Sequence, residues 1–147
     1  MHRIAAGLAS VVAALGVTPA QQAVWQADLQ IRSLTVTQRQ GHLTARVVVA
    51  VEVGEAMAVR VELLLPVGVG LLEMQESCKP GPSAPGISAL RARVICILGD
   101  VPIRGTREIY VVTTTPPAGV ARGFGVIGMS DTPDPRPKNN FAEKAIP

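Results

Sequence analysis

Aromatic side chains are scarce in this chain, where one Trp, one Tyr and two Phe make up 3% of 147 residues. Charged residues are also few, at 17%, and the 14 Lys and Arg are nearly balanced by the 11 Asp and Glu. Surfaces that bind nucleic acids need clustered basic residues and stacking rings, whereas the arginines here are spread singly along the chain. We therefore expect no nucleic-acid partner.

The sequence also lacks the motifs of catalysis and of cofactor binding. It contains no phosphate-binding loop and no recognisable pairing of a nucleophile with a histidine. Only two histidines are present, and His42 follows Gly41 in a turn, where a lone histidine is usually solvated. A metal site needs three or four ligands. We therefore expect a protein that is not an enzyme, with no catalytic residues, no bound metal and no cofactor.

The first twenty residues have the pattern of a signal peptide. A basic start precedes an apolar run over 4–17, and small residues then lead into the polar pair Gln21-Gln22. The run is shorter than the roughly 20 apolar residues that span a membrane. It therefore predicts export and cleavage after Ala20 or Ala23 rather than a permanent anchor, the alternative being an uncleaved apolar N-terminal helix. We expect a short linker over 21–28, one domain over 29–147, and a secreted or periplasmic protein.

The two cysteines follow the predicted signal peptide, and in an exported protein an even number of cysteines indicates a disulfide. A bridge between Cys78 and Cys96 closes a loop of about 19 residues, for which chain entropy predicts about 3 kcal/mol of stabilisation. We expect it to hold the Pro- and Gly-rich segment 79–86 against a core strand.

Apolar residues alternate with polar ones at the period of β-strands over most of the remaining chain. The pattern predicts strands over 29–37, 43–53, 57–65, 71–77, 90–98, 106–115 and 121–130, with a further candidate over 141–146. In the second and third of these, the odd-numbered residues from Leu43 to Val53 and from Met57 to Leu65 form the apolar face. We expect these two strands to pair as a hairpin around Gly54-Glu55.

About seven strands with unequal loops and no helical periodicity after the signal peptide predict an all-β, Ig-like two-sheet sandwich. An up-and-down barrel is the geometric alternative, but its closure usually takes eight similar strands. Trp25 precedes the first strand, and we expect it in the linker or at an edge rather than in the core.

A series of short motifs over residues 34–145 resembles the bacterial Ig-like conserved-repeat family called domain of unknown function 11, a relative of cell-adhesion-related bacterial domains. The series consists of Leu65-Pro66-Val67-Gly68, Cys78, a Val-Ile-Cys-Ile-Leu-Gly strand end at 94–99, Gly105, Asp134-Pro135, and Asn139-Asn140-Phe141-Ala142. The family's Asn-x-Gly is replaced by Val53-Gly54-Glu55. The resemblance implies an exported, non-enzymatic module of surface or envelope proteins.

Three functions are consistent with this sequence. The first is a non-catalytic module of the cell envelope or extracellular space that binds a protein or another surface component through sheet edges or loops. The second is a structural surface subunit that associates with copies of itself. The third is a carbohydrate-binding accessory domain, for which the few aromatics give little support.

The closing segment contains Asp131, Asp134, Asn139 and Asn140, whose oxygens are ligands of the kind that Ca²⁺ takes from loops. Asp and Asn next to Pro also form turns by binding backbone N–H groups. We expect the turn-forming role, with calcium as the alternative.

Overall fold

The computed structural model describes residues 25–82, 92–119 and 123–146 as a sandwich of two antiparallel sheets. The predicted signal peptide, 1–20, lies outside the described residues. The strands are Leu29–Arg39 (β1), His42–Val51 (β2), Ala56–Leu64 (β3), Leu71–Met74 (β4), Cys78–Pro80 (β5), Arg93–Val101 (β6), Thr106–Thr114 (β7), Gly123–Met129 (β8) and Phe141–Ala145 (β9). A short 3₁₀ helix, Pro137–Asn140, precedes β9.

Four strands form one sheet in the order β1-β2-β7-β4, and five form the other in the order β5-β6-β3-β8-β9. The all-β sandwich predicted from the alternation is thus confirmed, with nine described strands in place of about seven. The two strands beyond the predicted seven are β5, which has three residues, and β9, which matches the further candidate over 141–146. The predicted strand over 71–77 is shorter than expected, because β4 ends at Met74. In the part of the chain that is described, no helix is long and apolar enough to cross a membrane.

The core lies between the sheets and is built mainly from Val, Leu and Ala. Five odd-numbered residues of β2, from Leu43 to Val51, are fully buried, as are Val59, Val61 and Leu63 of β3. Phe124 in β8 is the one buried aromatic side chain among the described residues. Period-two alternation therefore predicted the inward faces of the two central strands correctly.

Two details of that alternation are wrong, because the strands are interrupted. Val53 is 54% exposed because β2 ends at Val51 and the chain turns there. Met57 is 47% exposed because an extra residue enters β3 before Val59, where the pairing with β6 shifts and Ala58 has φ +50°. Such a bulge reverses the face on which the preceding residues lie.

The predicted hairpin between 43–53 and 57–65 is also wrong. β2 pairs with β1 and β7, whereas β3 pairs with β6 and β8. The connection between them crosses from one sheet to the other. The first hairpin instead joins β1 to β2 through Gln40 and Gly41, which both have positive φ, as two-residue hairpin turns require.

Cys78 and Cys96 are directly opposite each other on β5 and β6 and form the predicted disulfide, with an S–S distance of 2.02 Å. Cys96 is fully buried and Cys78 is 8% exposed, so the bridge lies on the core side of the five-stranded sheet. It holds the short edge strand β5 to β6.

Residues 25–28 of the predicted linker are described, and two of them pack into the domain. Ala27 and Asp28 are buried, and their backbone N–H groups donate to the carbonyls of Pro133 and Val53 at 3.1 and 2.9 Å. Trp25 is 85% exposed. The packed part of the domain thus includes residues 27 and 28, which precede β1.

Candidate binding surface on the five-stranded sheet

The outer face of the four-stranded sheet is polar, and it carries two ion pairs. Arg46 on β2 contacts Glu108 on β7 at 2.6 Å, and Arg32 on β1 contacts Glu52 at 2.7 Å. Exposed threonines on β1, Thr35 and Thr37, extend this polar surface. Among the described residues, the one large apolar side chain that is exposed on this sheet is Leu72, 50% exposed on the edge strand β4.

Tyr110 lies on the same outer face, opposite Arg46 in the register of β2 and β7. Its hydroxyl donates a hydrogen bond to Oε1 of Glu73 at 2.9 Å. That hydrogen bond and the negative charge of Glu73 favour the neutral phenol, and they raise the pKa of Tyr110 above its ordinary value. The tyrosine is therefore tied to the edge strand β4 rather than free to contact a ligand.

The outer face of the five-stranded sheet is different, because apolar side chains dominate it. Ile97, Ile127 and Phe141 are 54%, 41% and 51% exposed. We define the apolar face by its outward apolar residues: Leu64, Ile95, Ile97, Ile127, Met129 and Phe141.

The strand registers bring Ile127 and Phe141 together, whereas Arg60 and Glu62 on the central strand β3 separate them from Ile95 and Ile97. Ile127 on β8 is opposite Phe141 on β9, and on its other side it is opposite Glu62 on β3. Leu64 is opposite Gly125, which has no side chain and so leaves a depression in the sheet surface. The result is a groove of about 90 Å³ between Leu64, Ile127 and Phe141. This is smaller than the roughly 300–1,000 Å³ of small-molecule sites, and it suits a single inserted side chain.

One ion pair borders the groove. Arg93 on β6 donates from Nη2 to Oε2 of Glu62 at 2.8 Å, and the two side chains are only 16% and 24% exposed. The Nε group of Arg93 is buried and has no acceptor among the described residues. The groove therefore combines apolar walls with one buried donor.

The closing segment is organised mainly as a structural connection. Asp134 accepts hydrogen bonds from the backbone N–H groups of Arg136 at 2.7 Å and Leu29 at 3.0 Å, which is the expected turn-forming role. Asn139 donates from Nδ2 to Oδ1 of the buried Asp28 at 2.8 Å. These bonds join the segment to the beginning of β1.

No group of three His, Cys, Asp or Glu side chains in the described ranges is arranged to hold a metal ion. His42 is exposed at the start of β2, as expected for a turn histidine. Asp131 is exposed, and Asn140 is buried. Of the four residues of the calcium alternative, Asp131, Asp134 and Asn140 border one cleft, whereas Asn139 is directed at Asp28.

The apolar face was not predicted from the residue patterns, although the sequence contains a signal for it. Residues 94–98, Val-Ile-Cys-Ile-Leu, are apolar without interruption. A strand that is apolar on both sides either lies between two covered faces or exposes one of them. Here Val94 and Cys96 face the core, and Ile95 and Ile97 face outward.

Comparison with known proteins gives no family. No protein-family profile matches the chain, and no curated protein matches it. Among solved structures, the chitin-binding domain of a chitinase from Pyrococcus furiosus aligns at 12% identity and a TM-score of 0.45, over 74% of this chain and 96% of that one. ChBD2 from Thermococcus kodakarensis KOD1 aligns at 17% identity and a TM-score of 0.42, over 71% and 96%. At these identities and TM-scores, neither similarity bears on the function of this chain.

Proposed function

We propose that this protein is an exported, non-catalytic Ig-like module that binds a protein partner of the cell envelope or extracellular space through its apolar face. One observation carries the proposal. Ile97, Ile127 and Phe141 lie on a single outer face and are each about half exposed, whereas the outer face of the opposite sheet is polar. Apolar patches on a protein surface, bordered by polar residues, mark sites of interaction with other proteins.

The groove above Gly125 determines which kind of partner side chain can bind to the apolar face. An aliphatic or aromatic side chain of the partner enters between Leu64, Ile127 and Phe141, where it is removed from water. The buried Nε of Arg93 then donates to a carbonyl oxygen beside that side chain. Central apolar anchors with an adjacent arginine are typical of the residues that dominate binding energy.

Export is supported by the N-terminal pattern over 1–20 and by the Cys78–Cys96 disulfide, since such bridges persist in oxidising compartments. The resemblance to the domain of unknown function 11 family supports an envelope or surface setting. The carbohydrate-binding alternative has less support, because Phe141 is the one aromatic on the apolar face. Phe124 is buried, and Tyr110 lies on the opposite sheet.

Photo-crosslinking in the producing cells tests the proposal. A photoreactive phenylalanine analogue replaces Phe141 in one variant and Thr35, exposed on the polar sheet, in a matched control. We expect a discrete adduct with another protein from position 141 and none from position 35. The additional change Ile127→Lys removes an apolar contact worth about 1.5–3 kcal/mol when buried. It should therefore weaken binding by roughly 10- to 100-fold and remove the adduct.

Each other result contradicts the proposal in a defined way. Equal adducts from both positions, or none from position 141, mean that the apolar face is not the interface. An adduct of the protein with itself favours the self-associating surface subunit. In that case, sedimentation of the purified protein shows a concentration-dependent dimer that Ile127→Lys abolishes.

A further inference from the structure

A second concave site adjoins the apolar face at Met129, where β8 ends and the closing segment begins. This cleft of about 310 Å³ is bordered by Gly128, Asp131, Asp134, Pro137 and Asn140, together with Met129, Ser130, Thr132 and Pro133. It lies at the β9 side of the five-stranded sheet, opposite the edge that carries the disulfide.

Asn140 is the unusual residue of the cleft. The residue is only 9% exposed. Its Oδ1 is buried and accepts no hydrogen bond from any residue that the structure describes. Buried side-chain oxygens in native proteins are nearly always satisfied, because an unpaired one costs free energy. The amide oxygen therefore indicates a positively polarised partner that is not part of the chain.

The carboxylates bordering the cleft supply negative charge. Asp131 is exposed, and its side chain has no hydrogen-bond or ion-pair partner within the described ranges. Asp134 accepts one backbone N–H on each oxygen, at 2.7 and 3.0 Å, and keeps further lone pairs. The nearby cation, Arg136, is directed at Asp28, with its Nη1 at 3.5 Å from Oδ2. These two carboxylates are therefore left without a neutralising side chain.

Hydroxyl groups of the cleft are already engaged. Ser130 donates to the carbonyl of Thr132 at 2.9 Å, and Thr132 donates to the carbonyl of Glu55 at 3.2 Å. The ligands that remain are carboxylate and amide oxygens. A donor set of this kind, without sulfur or imidazole, is the one that Ca²⁺ prefers.

We infer that the cleft binds a Ca²⁺ ion through the oxygens of Asp131, Asp134 and Asn140, with water completing the coordination. The ion joins the end of β8 to the 3₁₀ helix before β9. Because it binds the folded chain and not the unfolded one, it raises the melting temperature. This inference does not rest on the proposed protein partner.

Thermal melting of the EDTA-treated, dialysed protein tests the inference, with CaCl₂ as the added probe. At a calcium concentration ten times the dissociation constant, we expect a rise in Tm of about 5 °C. Tm then continues to increase with the logarithm of the calcium concentration, although the site is already occupied. Asn140→Ala and Asp131→Asn should each abolish the rise while melting near the wild-type protein in EDTA. The control Glu76→Gln, an exposed carboxylate at the opposite edge, should keep it.

Isothermal titration with CaCl₂ is the second measurement, and it does not depend on stability. One site per chain in the wild type and none in Asn140→Ala supports the inference. Identical melting curves with calcium and with EDTA overturn it. It is also overturned if the rise persists in both cleft variants, because calcium then acts on surface charge in general.

Discussion

The turn at Gly54 allows a quantitative test of how the first residues of the domain are packed. Gly54 has φ +70°, and a Cβ atom placed on it would lie 2.0 Å from the carbonyl oxygen of Gln26. Real Cβ atoms do not approach a backbone oxygen so closely. The variant Gly54→Ala must therefore adopt an unfavourable backbone conformation and also displace the segment that contains Gln26.

The cost has two parts. A left-handed conformation costs an L-residue about 1–2 kcal/mol. Alanine also restricts the unfolded chain more than glycine does, which stabilises the folded state by about 0.4–1 kcal/mol. Displacing the segment breaks the hydrogen bonds from Ala27 N to Pro133 O and from Asp28 N to Val53 O, each contributing about 1 kcal/mol. We therefore expect Gly54→Ala to lower the free energy of unfolding by about 3 kcal/mol.

Gly41→Ala is the matched control, because Gly41 also has positive φ, +77°, but a Cβ there meets no atom within 4 Å. It should cost only the backbone component, about 1 kcal/mol. With a urea dependence of about 2 kcal/mol per M, the midpoint falls by about 1.5 M for Gly54→Ala and 0.5 M for Gly41→Ala. Equal shifts would refute the packing of residues 26–28 against the turn.

Three further predictions concern single interactions. Replacing both Cys78 and Cys96 by Ala should lower the free energy of unfolding by about 3 kcal/mol in urea; a loss below about 1 kcal/mol would contradict the loop-closure argument. Tyr110, the one tyrosine of the chain, should ionise above its ordinary pKa of about 10 when followed by ultraviolet absorbance. Glu73→Gln should lower that midpoint towards 10, and an unchanged midpoint would refute the contact. Asp134→Ala should cost about 2 kcal/mol, because two backbone donors lose a charged acceptor, and an unchanged melting curve would contradict this.

The sign of the tyrosine prediction follows from which form the protein stabilises. The folded state favours the neutral phenol, so its pKa is raised relative to the unfolded chain. The stabilisation is present in full below the ordinary pKa and is lost as the pH rises through the raised one. Arg46 lies opposite Tyr110 and acts in the other direction. Arg46→Gln should therefore raise the midpoint further, which gives a second and opposite control.

Residue alternation predicted the strands because it reports which side chains share a face. It does not report which strand lies next to which. The segments 43–53 and 57–65 would show the same alternation as a hairpin or as members of two sheets. The structure places them in different sheets because the turn between them is occupied by the beginning of the domain: Asp28 donates to the carbonyl of Val53 and accepts from Glu52. That contact joins residues more than twenty positions apart, and no local pattern encodes it.

The bulge in β3 escaped prediction for a similar reason. Ala58 has positive φ, and its backbone N–H donates to Oδ1 of Asp100 on β6 at 2.8 Å. Nothing in the local sequence distinguishes an alanine that takes this conformation from one that does not. The carboxylate that binds its N–H comes from another strand.

The two outer faces explain why binding is better argued from the structure than from the motifs. Val48 on the polar sheet and Ile127 on the apolar face are both β-branched residues pointing away from the core. Val48 is flanked by the Arg46–Glu108 ion pair, whereas Ile127 lies beside Phe141. Composition alone cannot distinguish Val48 from Ile127. Residues on the neighbouring strand decide whether an outward apolar side chain is isolated or part of a patch.

Charges interspersed on the apolar face limit its unspecific association. Arg60 and Glu62 on β3 and Glu143 on β9 point outward among the isoleucines. Charged residues among the apolar ones of an exposed sheet commonly reduce its aggregation. Glu62 is opposite Ile127 and is already paired with Arg93, so a partner that buries Ile127 and Phe141 also covers this ion pair. It leaves Arg60 and Glu143 solvated at the rim or pairs them. Raising the ionic strength should therefore change the rate of association more than the rate of dissociation, and an opposite dependence would mean that the apolar residues are not at the centre of the interface.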